Sequence, residues 1–257
     1  MQHKLRNRLR AQLKDAQVKF GLNLGIDSCE VPYSLGELGL DWINFDTQHT
    51  ILDTRAIASM IQAMSYSNTV PIIRVLSNDL GLINKALDIG AQAVIVPMVN
   101  SREEAERAVQ SAKYKSPGLR SWGARAALRD PDYAATADSE IMVIPQIETE
   151  LALKNIEEII TTDGIDAVFC GPSDLSMSLG VFGKYDDPSF QRAVELIVST
   201  CEAHGVTPGL LAPTGNVGKS IQQGFKMISL GSDLLILKQS IANILKSARA
   251  EQASAKL

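Results

Sequence analysis

Short apolar segments rich in Val, Ile and Leu alternate with longer amphipathic segments from one end of the chain to the other. The apolar segments have the length of buried strands, and the apolar residues of the amphipathic segments recur with the spacing of one helix face. Parallel strands covered by helices produce this alternation, because such sheets are buried on both faces. The pattern therefore predicts a sheet of parallel strands, each followed by a helix.

Eight strands and eight helices follow from this pattern. The predicted strands cover residues 20–25, 42–45, 71–75, 93–96, 142–147, 167–170, 207–211 and 227–230. The predicted helices cover residues 31–38, 54–67, 80–89, 101–112, 150–160, 190–204, 217–223 and 233–250. Eight strand–helix units in 257 residues fit a (β/α)8 barrel, an α/β fold, better than an open doubly wound sheet.

Two segments add detail to this prediction. Ser101, with Glu104 three residues later, forms a capping box and predicts a helix start. The connection 116–139 shows little periodicity, and connections of this length in compact domains are often functional. Near the amino terminus, Leu5, Leu9 and Leu13 recur at helical spacing, which favours a helix lying across the domain over a targeting sequence.

Composition limits the class of protein. Of the residues, 45% are hydrophobic, which suits one domain spanning residues 1–257. The net charge of −4 leaves no electrostatic footprint for nucleic acid or an anionic membrane, and no segment approaches the roughly 18 apolar residues of a membrane span. Cys29, Cys170 and Cys201 are scattered, as expected for reduced, mostly buried thiols of a cytoplasmic protein. Small-molecule chemistry is therefore favoured.

Two carboxylates stand at the ends of consecutive predicted strands. Glu148 closes one strand and Asp174 follows the next. In a repeating strand–helix protein such positions converge on one face, where barrel enzymes carry their active sites. Two carboxylates would hold Mg²⁺ or Mn²⁺ and leave positions open for substrate oxygens. The alternative is that each carboxylate caps the following helix.

Three more polar residues follow earlier strands. His49 has the titration range of a general acid or base, although a lone histidine is often structural. Asp46 would orient His49, bind water around a metal, or cap a helix. Arg74 ends a buried strand and needs an anionic partner, either a substrate oxyanion or Asp46.

Other mechanisms and cofactors find less support. No lysine ends an internal strand as a Schiff-base aldolase would need, and no Gly-x-Ser-x-Gly elbow occurs. No Gly-x-Gly-x-x-Gly opens a helix after a strand, which disfavours dinucleotide binding. The segments 212–216 and 231–233 follow the last two strands, where many barrels bind phosphate, but ordinary turns explain them better.

Several ordered motifs together resemble one family. They are Asp46-x-x-His49, Ile73-Arg74, Asp88-Ile-Gly-Ala-Gln92, Val96-Pro-Met-Val99, Pro145-Gln-Ile-Glu-Thr149 and Gly171-Pro-Ser-Asp-Leu-Ser176. From about residue 20 to about residue 240 the chain resembles the HpcH/HpaI family of metal-dependent pyruvate aldolases. This resemblance implies a class II aldolase that cleaves 4-hydroxy-2-oxo acids to pyruvate and an aldehyde through a metal-stabilised enolate.

The resemblance also implies a role for each matching residue. Glu148 and Asp174 would bind a divalent cation, Mg²⁺, Mn²⁺ or Co²⁺. The implied catalytic residues are His49, Arg74 and Asp88; the implied substrate-binding residues are Arg74, Gln146, Gly171, Pro172 and Ser173; and the implied supporting residues are Asp46 and Gln48.

The chain departs from the family pattern at several positions. Gln48 stands where the family usually has Glu, which affects metal affinity and substrate range. Asp88 lies near a helix end that should face the opposite end of its own barrel, so a neighbouring subunit would have to supply it. Ser121 replaces a common glycine, and Arg120 and Arg125 either contact a second acidic group of the substrate or face water.

The family resemblance further implies a homohexamer, a trimer of dimers, that exchanges its last helix between subunits. An apolar stripe formed by Ile241, Ile244, Leu245 and Ala248 would serve either this exchange or packing on its own barrel. Two alternatives to the aldolase stay open: a citrate-lyase-like, malyl-CoA-lyase-like or decarboxylating lyase, and a catalytically silent 2-oxo-acid-binding barrel.

Overall fold

Eight parallel strands close into a barrel in sequence order, β1 to β8. The computed structural model describes residues 6–15, 17–128, 130–212 and 216–254. The strands are β1 Lys19–Leu24, β2 Trp42–Asp46, β3 Val70–Arg74, β4 Ala93–Val96, β5 Met142–Ile147, β6 Ala167–Cys170, β7 Thr207–Leu211 and β8 Met227–Ser232. The predicted (β/α)8 barrel is confirmed, and each predicted strand lies within two residues of an observed one.

Twelve helices are assigned among the described residues, and most of them cover the outside of the barrel. They are α1 Arg8–Gln12, α2 Glu30–Leu35, α3 Thr54–Ala63, α4 Leu80–Asp88, α5 Arg102–Ala112, α6 Tyr133–Glu140, α7 Glu150–Lys154, α8 Ile156–Ile160, α9 Pro172–Ser178, α10 Pro188–His204, α11 Val217–Gln222 and α12 Asp233–Ser254. Two 3-10 helices, Gly36–Leu38 and Arg125–Leu128, complete the set.

The helix predictions needed three corrections. The predicted helix 150–160 is divided into α7 and α8 at Asn155, whose side chain donates a hydrogen bond of 2.7 Å to the carbonyl of Asn100. The connection 116–139 contains α6, which the hydrophobic pattern missed because its residues are mostly small and polar. The short helix α9, which has Gly171 at its N-cap, was not among the eight predicted helices.

Two separate apolar cores hold the barrel together. The larger core lies between the strands and the surrounding helices, and the smaller fills the barrel interior. Trp42 and Phe169 meet edge to face in this interior, with ring centroids 6.0 Å apart. A Cβ atom at Gly21 would lie 2.0 Å from the Trp42 ring, so only glycine leaves space for the indole. These two rings form the apolar floor of the barrel.

The amino-terminal helix closes the barrel at the amino ends of the strands. Leu9 and Leu13 are buried in the same interior cluster as Trp42, and Arg10 makes two hydrogen bonds, of 3.0 and 2.8 Å, to the carboxylate of Asp166. The predicted helix across the domain is thus confirmed for the part that is described; Leu5 lies outside it. Substrates would reach the interior only from the carboxyl ends of the strands.

Several connections at this open end have structural roles. The Ser101 hydroxyl accepts a hydrogen bond from the backbone N–H of Glu104, which confirms the predicted helix start. At the start of α12, the Asp233 carboxylate accepts hydrogen bonds from the backbone N–H groups of Gly25 and Ile26, so segment 231–233 ties β8 to β1. No helix in the described part of the chain combines the length and apolar character that crossing a membrane requires.

Candidate functional site

A cavity of about 350 Å³ opens at the carboxyl ends of the strands, the end at which (β/α)8 enzymes carry their active sites. Its walls combine apolar side chains from the barrel floor with most of the residues singled out in the sequence. They are Asn23, Asn44, His49, Arg74, Ile95, Gln146, Phe169, Cys170, Gly171, Pro172, Ser173, Asp174, Met177, Phe182 and Leu211. The predicted convergence of strand-end residues is therefore observed.

Arg74 and Asp46 form a bidentate ion pair beside this cavity. Arg74 Nε lies 2.9 Å from Asp46 Oδ1, and Arg74 Nη2 lies 2.6 Å from Asp46 Oδ2. The side chains are 15% and 9% exposed. Because β2 pairs with β3 so that Asp46 faces Arg74 directly, the strand register itself sets this contact. The pair uses Arg74 Nε and Nη2, and no hydrogen bond of Nη1 is found among the described residues, so Nη1 can bind an anion in the cavity.

Asp46 also organises the turn that carries His49. Its Oδ1 atom accepts backbone hydrogen bonds from Gln48 at 2.9 Å and His49 at 3.4 Å. The alternative that Asp46 caps a helix is wrong, because Asp53 caps α3. His49 lines the cavity, and among the described residues no hydrogen bond restrains its imidazole. The Gln48 side-chain oxygen is buried without a partner.

Glu148 is the buried carboxylate of the site, with a relative exposure of 2%. Its Oε1 atom accepts a hydrogen bond of 2.7 Å from the Met98 backbone N–H, and its Oε2 atom accepts one from the Gln146 side chain. Burial raises the pKa of Glu148 to about 7; the Met98 N–H opposes this rise and the nearby charge of Asp174 adds to it. A group with this pKa can exchange a proton near neutral pH or, once ionised, bind a cation.

Gly171 allows the backbone to pass close to Glu148 and Gln146. A Cβ atom at position 171 would lie 2.6 Å from both Gln146 Nε2 and Glu148 Oε2. The Gly171 N–H donates to the carbonyl of Ile147 at 3.2 Å. Since Pro172 has no N–H, only Ser173 of the three predicted substrate-binding positions has a backbone donor free for a carboxylate. A substrate carboxylate bound by the backbone of residues 171–173 would therefore use the N–H of Ser173.

Asp174 lies in the first turn of α9 and lines the cavity. The alternative that Asp174 is a helix cap is wrong, because Gly171 occupies the N-cap position. Unlike Glu148, Asp174 is exposed. The two predicted metal ligands therefore differ: one is buried and held by hydrogen bonds, and the other stands at the mouth.

The donor set fits an open cation site. Within the described ranges, no group of three or more His, Cys, Asp or Glu side chains is placed to bind a metal. Glu148 and Asp174 supply hard oxygen ligands, and Gln146, which donates to Glu148, has a side-chain oxygen that is buried without a hydrogen-bond partner in the described part of the chain. A cation held here would keep most of its coordination positions for water and substrate oxygens.

The structure does not bring Asp88 to His49 within one chain. Asp88 is the last residue of α4, at the amino ends of the strands, and its Oδ1 atom lies 3.1 Å from Arg120 Nη2. Neither role left open for Arg120 is found, because its side chain is fully buried between Tyr114 and Tyr133. Arg125 is exposed beside a second cavity of about 590 Å³ at this end of the barrel.

Sequence reasoning missed three contributors to the site. Met98 has a left-handed backbone, with a φ of 55°, that directs its N–H to Glu148, and no sequence signal reveals such a conformation. Asn23 and Asn44 line the cavity, and each interrupts an otherwise apolar strand, which was a usable signal. Residues 213–215 of the segment 212–216, considered for phosphate binding, lie outside the described residues.

Comparison with known proteins gives concordant results. A family model described as HpcH/HpaI aldolase/citrate lyase matches residues 21–240. The chain is 34% identical to the 5-keto-4-deoxy-D-glucarate aldolase of Salmonella paratyphi C over 233 residues, which cover 89% of this chain and 91% of that protein.

Solved structures of similar proteins agree with this match. A HpcH/HpaI aldolase/citrate lyase family protein from Burkholderia cenocepacia J2315 superposes with a TM-score of 0.90 and 29% identity, covering 95% of this chain and 99% of that one. The citrate synthase SbnG superposes with a TM-score of 0.86 and 28% identity, covering 95% and 98%. This chain belongs to the HpcH/HpaI aldolase/citrate lyase family.

Proposed function

We propose that this carbon–carbon lyase is a divalent-metal-dependent aldolase that cleaves 4-hydroxy-2-oxo acids to pyruvate and an aldehyde. The arrangement around Glu148 is the observation that carries the proposal. A buried carboxylate with a pKa near 7 accepts a hydrogen bond from Gln146, which lines the cavity together with Arg74 and whose side-chain oxygen is buried without a partner among the described residues. Such a site suits a substrate with two adjacent oxygens, one of which gains negative charge during the reaction.

Glu148 and Asp174 would hold the cation, which acts as a Lewis acid toward the keto oxygen of the substrate. Arg74 would bind the same oxygen as it becomes an enolate oxygen, because its guanidinium is positioned by Asp46 before the substrate arrives. The Ser173 N–H would bind the substrate carboxylate. Each group then interacts more strongly with the transition state than with the substrate, which is the condition for catalysis.

Proton transfer would fall to His49. Cleavage requires that the C4 hydroxyl give up its proton as the C3–C4 bond breaks, and the electron pair of that bond then forms the enolate. Protonation of C3 completes pyruvate. His49 lines the cavity, and an imidazole can accept the first proton and return one at neutral pH.

A citrate-lyase-like reaction is the second candidate. Its support is the likeness to SbnG, which is named as a citrate synthase. SbnG superposes with a TM-score of 0.86, against 0.90 for the family member from Burkholderia cenocepacia J2315. Both reactions pass through an enolate, but a citrate-lyase-like reaction forms it from an acetyl thioester rather than from pyruvate and joins it to a 2-oxo acid rather than to an aldehyde. Assays with pyruvate plus aldehydes and with an acetyl thioester plus 2-oxo acids separate the two candidates, and no turnover with either pair would leave the silent 2-oxo-acid-binding barrel.

We also propose that the enzyme works as a homo-oligomer, a hexamer in the simplest case. All residues of α12 after Asp233 that the structure describes are exposed, and its large apolar side chains are 40–66% exposed in a single chain. They are Leu234, Leu235, Ile236, Leu237, Ile241, Ile244 and Leu245. A second copy would bury this surface, and a second copy would also be needed to bring Asp88 to His49.

Mixed oligomers test the shared site. His49→Ala and Asp88→Asn subunits, each inactive alone, should regain part of the activity when mixed, because some sites then combine His49 from one subunit with Asp88 from another. The assay is pyruvate formation after subunit exchange has been verified by mass spectrometry. No recovery in exchanged oligomers would remove Asp88 from the site.

Metal dependence is the direct test of the proposed function. Pyruvate release from a 4-hydroxy-2-oxo acid should stop in chelator and return with Mg²⁺, Mn²⁺ or Co²⁺. Glu148→Gln and Asp174→Asn should require far more metal, whereas Glu150→Gln, an exposed acid in α7, should behave as wild type. Full activity in chelator, or trapping of pyruvate on the protein by borohydride, would contradict the proposal.

A further inference from the structure

Two asparagines form a buried amide pair in the deep part of the cavity. Asn23 on β1 and Asn44 on β2 are directly paired in strand register, and Asn44 Nδ2 donates a hydrogen bond of 3.2 Å to Asn23 Oδ1. Their relative exposures are 9% and 1%. Both line the same cavity as Arg74 and Gln146. The pair therefore places polar groups where the barrel is otherwise apolar.

Two buried oxygen atoms in this region have no hydrogen-bond partner in the part of the chain that the structure describes. They are Asn44 Oδ1 and Gln146 Oε1. Exchanging the oxygen and nitrogen of Asn44 does not remove the problem, because Asn44 would then have its nitrogen without a partner instead. Leaving a buried polar group unpaired costs about 1–3 kcal/mol, so the site is complete only when a group that can donate or accept a hydrogen bond occupies the cavity.

The position of the pair identifies the part of the substrate that it meets. The barrel is closed below by Trp42, Leu9 and Leu13, so reactants enter and leave at the mouth, where Asp174 stands. In cleavage the aldehyde departs while the enolate half stays bound, and the aldehyde therefore occupies the mouth side. The deep amides accordingly contact the 2-oxo acid half.

We infer that Asn23 and Asn44 form a subsite for a hydroxyl group carried by the 2-oxo acid half of the substrate. This inference rests on the proposed function and changes one product of it, because cleavage of a 3,4-dihydroxy-2-oxo acid releases hydroxypyruvate in place of pyruvate. A hydroxyl donates one hydrogen bond and accepts others, so it can donate to Asn44 Oδ1 while an amide N–H donates to its oxygen. A methyl group of the same size can do neither. The enzyme would therefore prefer 2-oxo acids that are hydroxylated next to the keto carbon.

Hydrogen exchange at C3 of the 2-oxo acid tests this subsite without any aldehyde. The Mg²⁺-loaded enzyme is incubated in D₂O with pyruvate, hydroxypyruvate or 2-oxobutanoate, and deuterium uptake at C3 is followed by NMR. Hydroxypyruvate and 2-oxobutanoate match in size and differ in the hydroxyl. For the wild type, kcat/KM for hydroxypyruvate should exceed that for 2-oxobutanoate about tenfold or more.

Three variants test whether the preference for hydroxypyruvate arises from the two asparagines. Asn44→Leu, which keeps the approximate volume but removes the amide, should lower the hydroxypyruvate to 2-oxobutanoate ratio about ten- to a hundredfold. Asn23→Ala should lower the ratio in the same direction. Ile72→Leu is the matched control, because Ile72 pairs with Asn44 in strand register but does not line the cavity; it should keep the wild-type ratio. Circular dichroism verifies folding.

The outcomes separate the subsite from the proposed function. If pyruvate exchanges and the two larger acids exchange at equal rates, the subsite is overturned and the amides hold an ordered water only. The same conclusion follows if Asn44→Leu leaves the ratio of hydroxypyruvate to 2-oxobutanoate exchange unchanged. No exchange with any of the three acids would overturn the proposed function and the subsite with it. If the variants do not fold, thermal shifts of the wild type decide: hydroxypyruvate must raise Tm more than 2-oxobutanoate does.

Discussion

Two arginine–aspartate pairs stand at opposite ends of the barrel and differ in how they are held. Arg74 and Asp46 meet through two hydrogen bonds beside the open cavity. Arg120 and Asp88 meet through one, of 3.1 Å, at the closed end. Arg120 is fully buried with two guanidinium nitrogens unpartnered, whereas Asp88 is 27% exposed.

The difference shows that an arginine–aspartate pair has a different role at each end of the barrel. The bidentate pair of Arg74 and Asp46 fixes the guanidinium beside the cavity through Nε and Nη2, as binding of a substrate anion requires. The single-bonded pair compensates a charge enclosed by Tyr114 and Tyr133, which is a packing role. In (β/α)8 barrels the carboxyl ends of the strands carry chemistry and the amino ends carry stability, and the two pairs follow that division.

Replacing Arg74 should give the largest effect on rate. Arg74→Lys keeps the charge but loses the planar fork, so kcat should fall about 10²–10³-fold, as for loss of one oxyanion donor. Steady-state kinetics measures the fall, and metal affinity measured by calorimetry should change little. Unfolding of the variant at 25 °C would instead assign Arg74 a structural role and end the distinction between the pairs.

Breaking the pair at the closed end should lower the stability of each subunit, apart from any loss of activity at a site that Asp88 completes in a neighbouring subunit. Asp88→Asn leaves the Arg120 charge buried without compensation and should cost about 3 kcal/mol in the free energy of unfolding. Arg120→Met removes that charge and leaves a partly exposed aspartate, so it should cost less, about 1 kcal/mol. Urea denaturation compares the variants. Equal costs, or a larger cost for Arg120→Met, would contradict the burial argument.

The pH dependence of stability probes the open end. Burial raises the pKa of Glu148 from 4.5 to about 7, so the folded metal-free protein binds this proton more tightly than the unfolded chain. Stability from this group is full below pH 4.5 and is lost as pH rises through 7, by at most about 3 kcal/mol. Denaturation of wild type and Glu148→Gln in chelator should differ in this window; parallel curves would show that Glu148 does not titrate there.

The contact between α1 and the barrel should give the smallest effect. Arg10 and Asp166 form an ion pair with side chains 31% and 25% exposed, so solvent screening limits its contribution. Arg10→Ala should lower the free energy of unfolding by no more than about 1 kcal/mol and leave kcat unchanged. A tenfold loss of kcat would mean that the closed end of the barrel communicates with the site.

The sequence allowed the fold to be predicted because each strand is a short apolar run between amphipathic segments. It failed at α6, whose small polar residues produce no hydrophobic periodicity. Strand-end positions such as Glu148 and Arg74 could be assigned to the site because the barrel topology alone brings them together. The partner of Asp88 could not be predicted, because Arg120 lies in an irregular connection 32 residues away. The left-handed backbone of Met98 could not be predicted either, because it reflects tertiary contacts rather than a local preference.

The contact between Gly21 and Trp42 has a consequence for how this family can change over evolution. Because a Cβ at position 21 would lie 2.0 Å from the indole ring, neither position can vary independently. A larger residue at 21 becomes acceptable only after Trp42 has become smaller, and a smaller residue at 42 leaves a void until position 21 fills it. The two positions should therefore covary among homologues, and libraries that reshape the pocket floor should randomise both codons together.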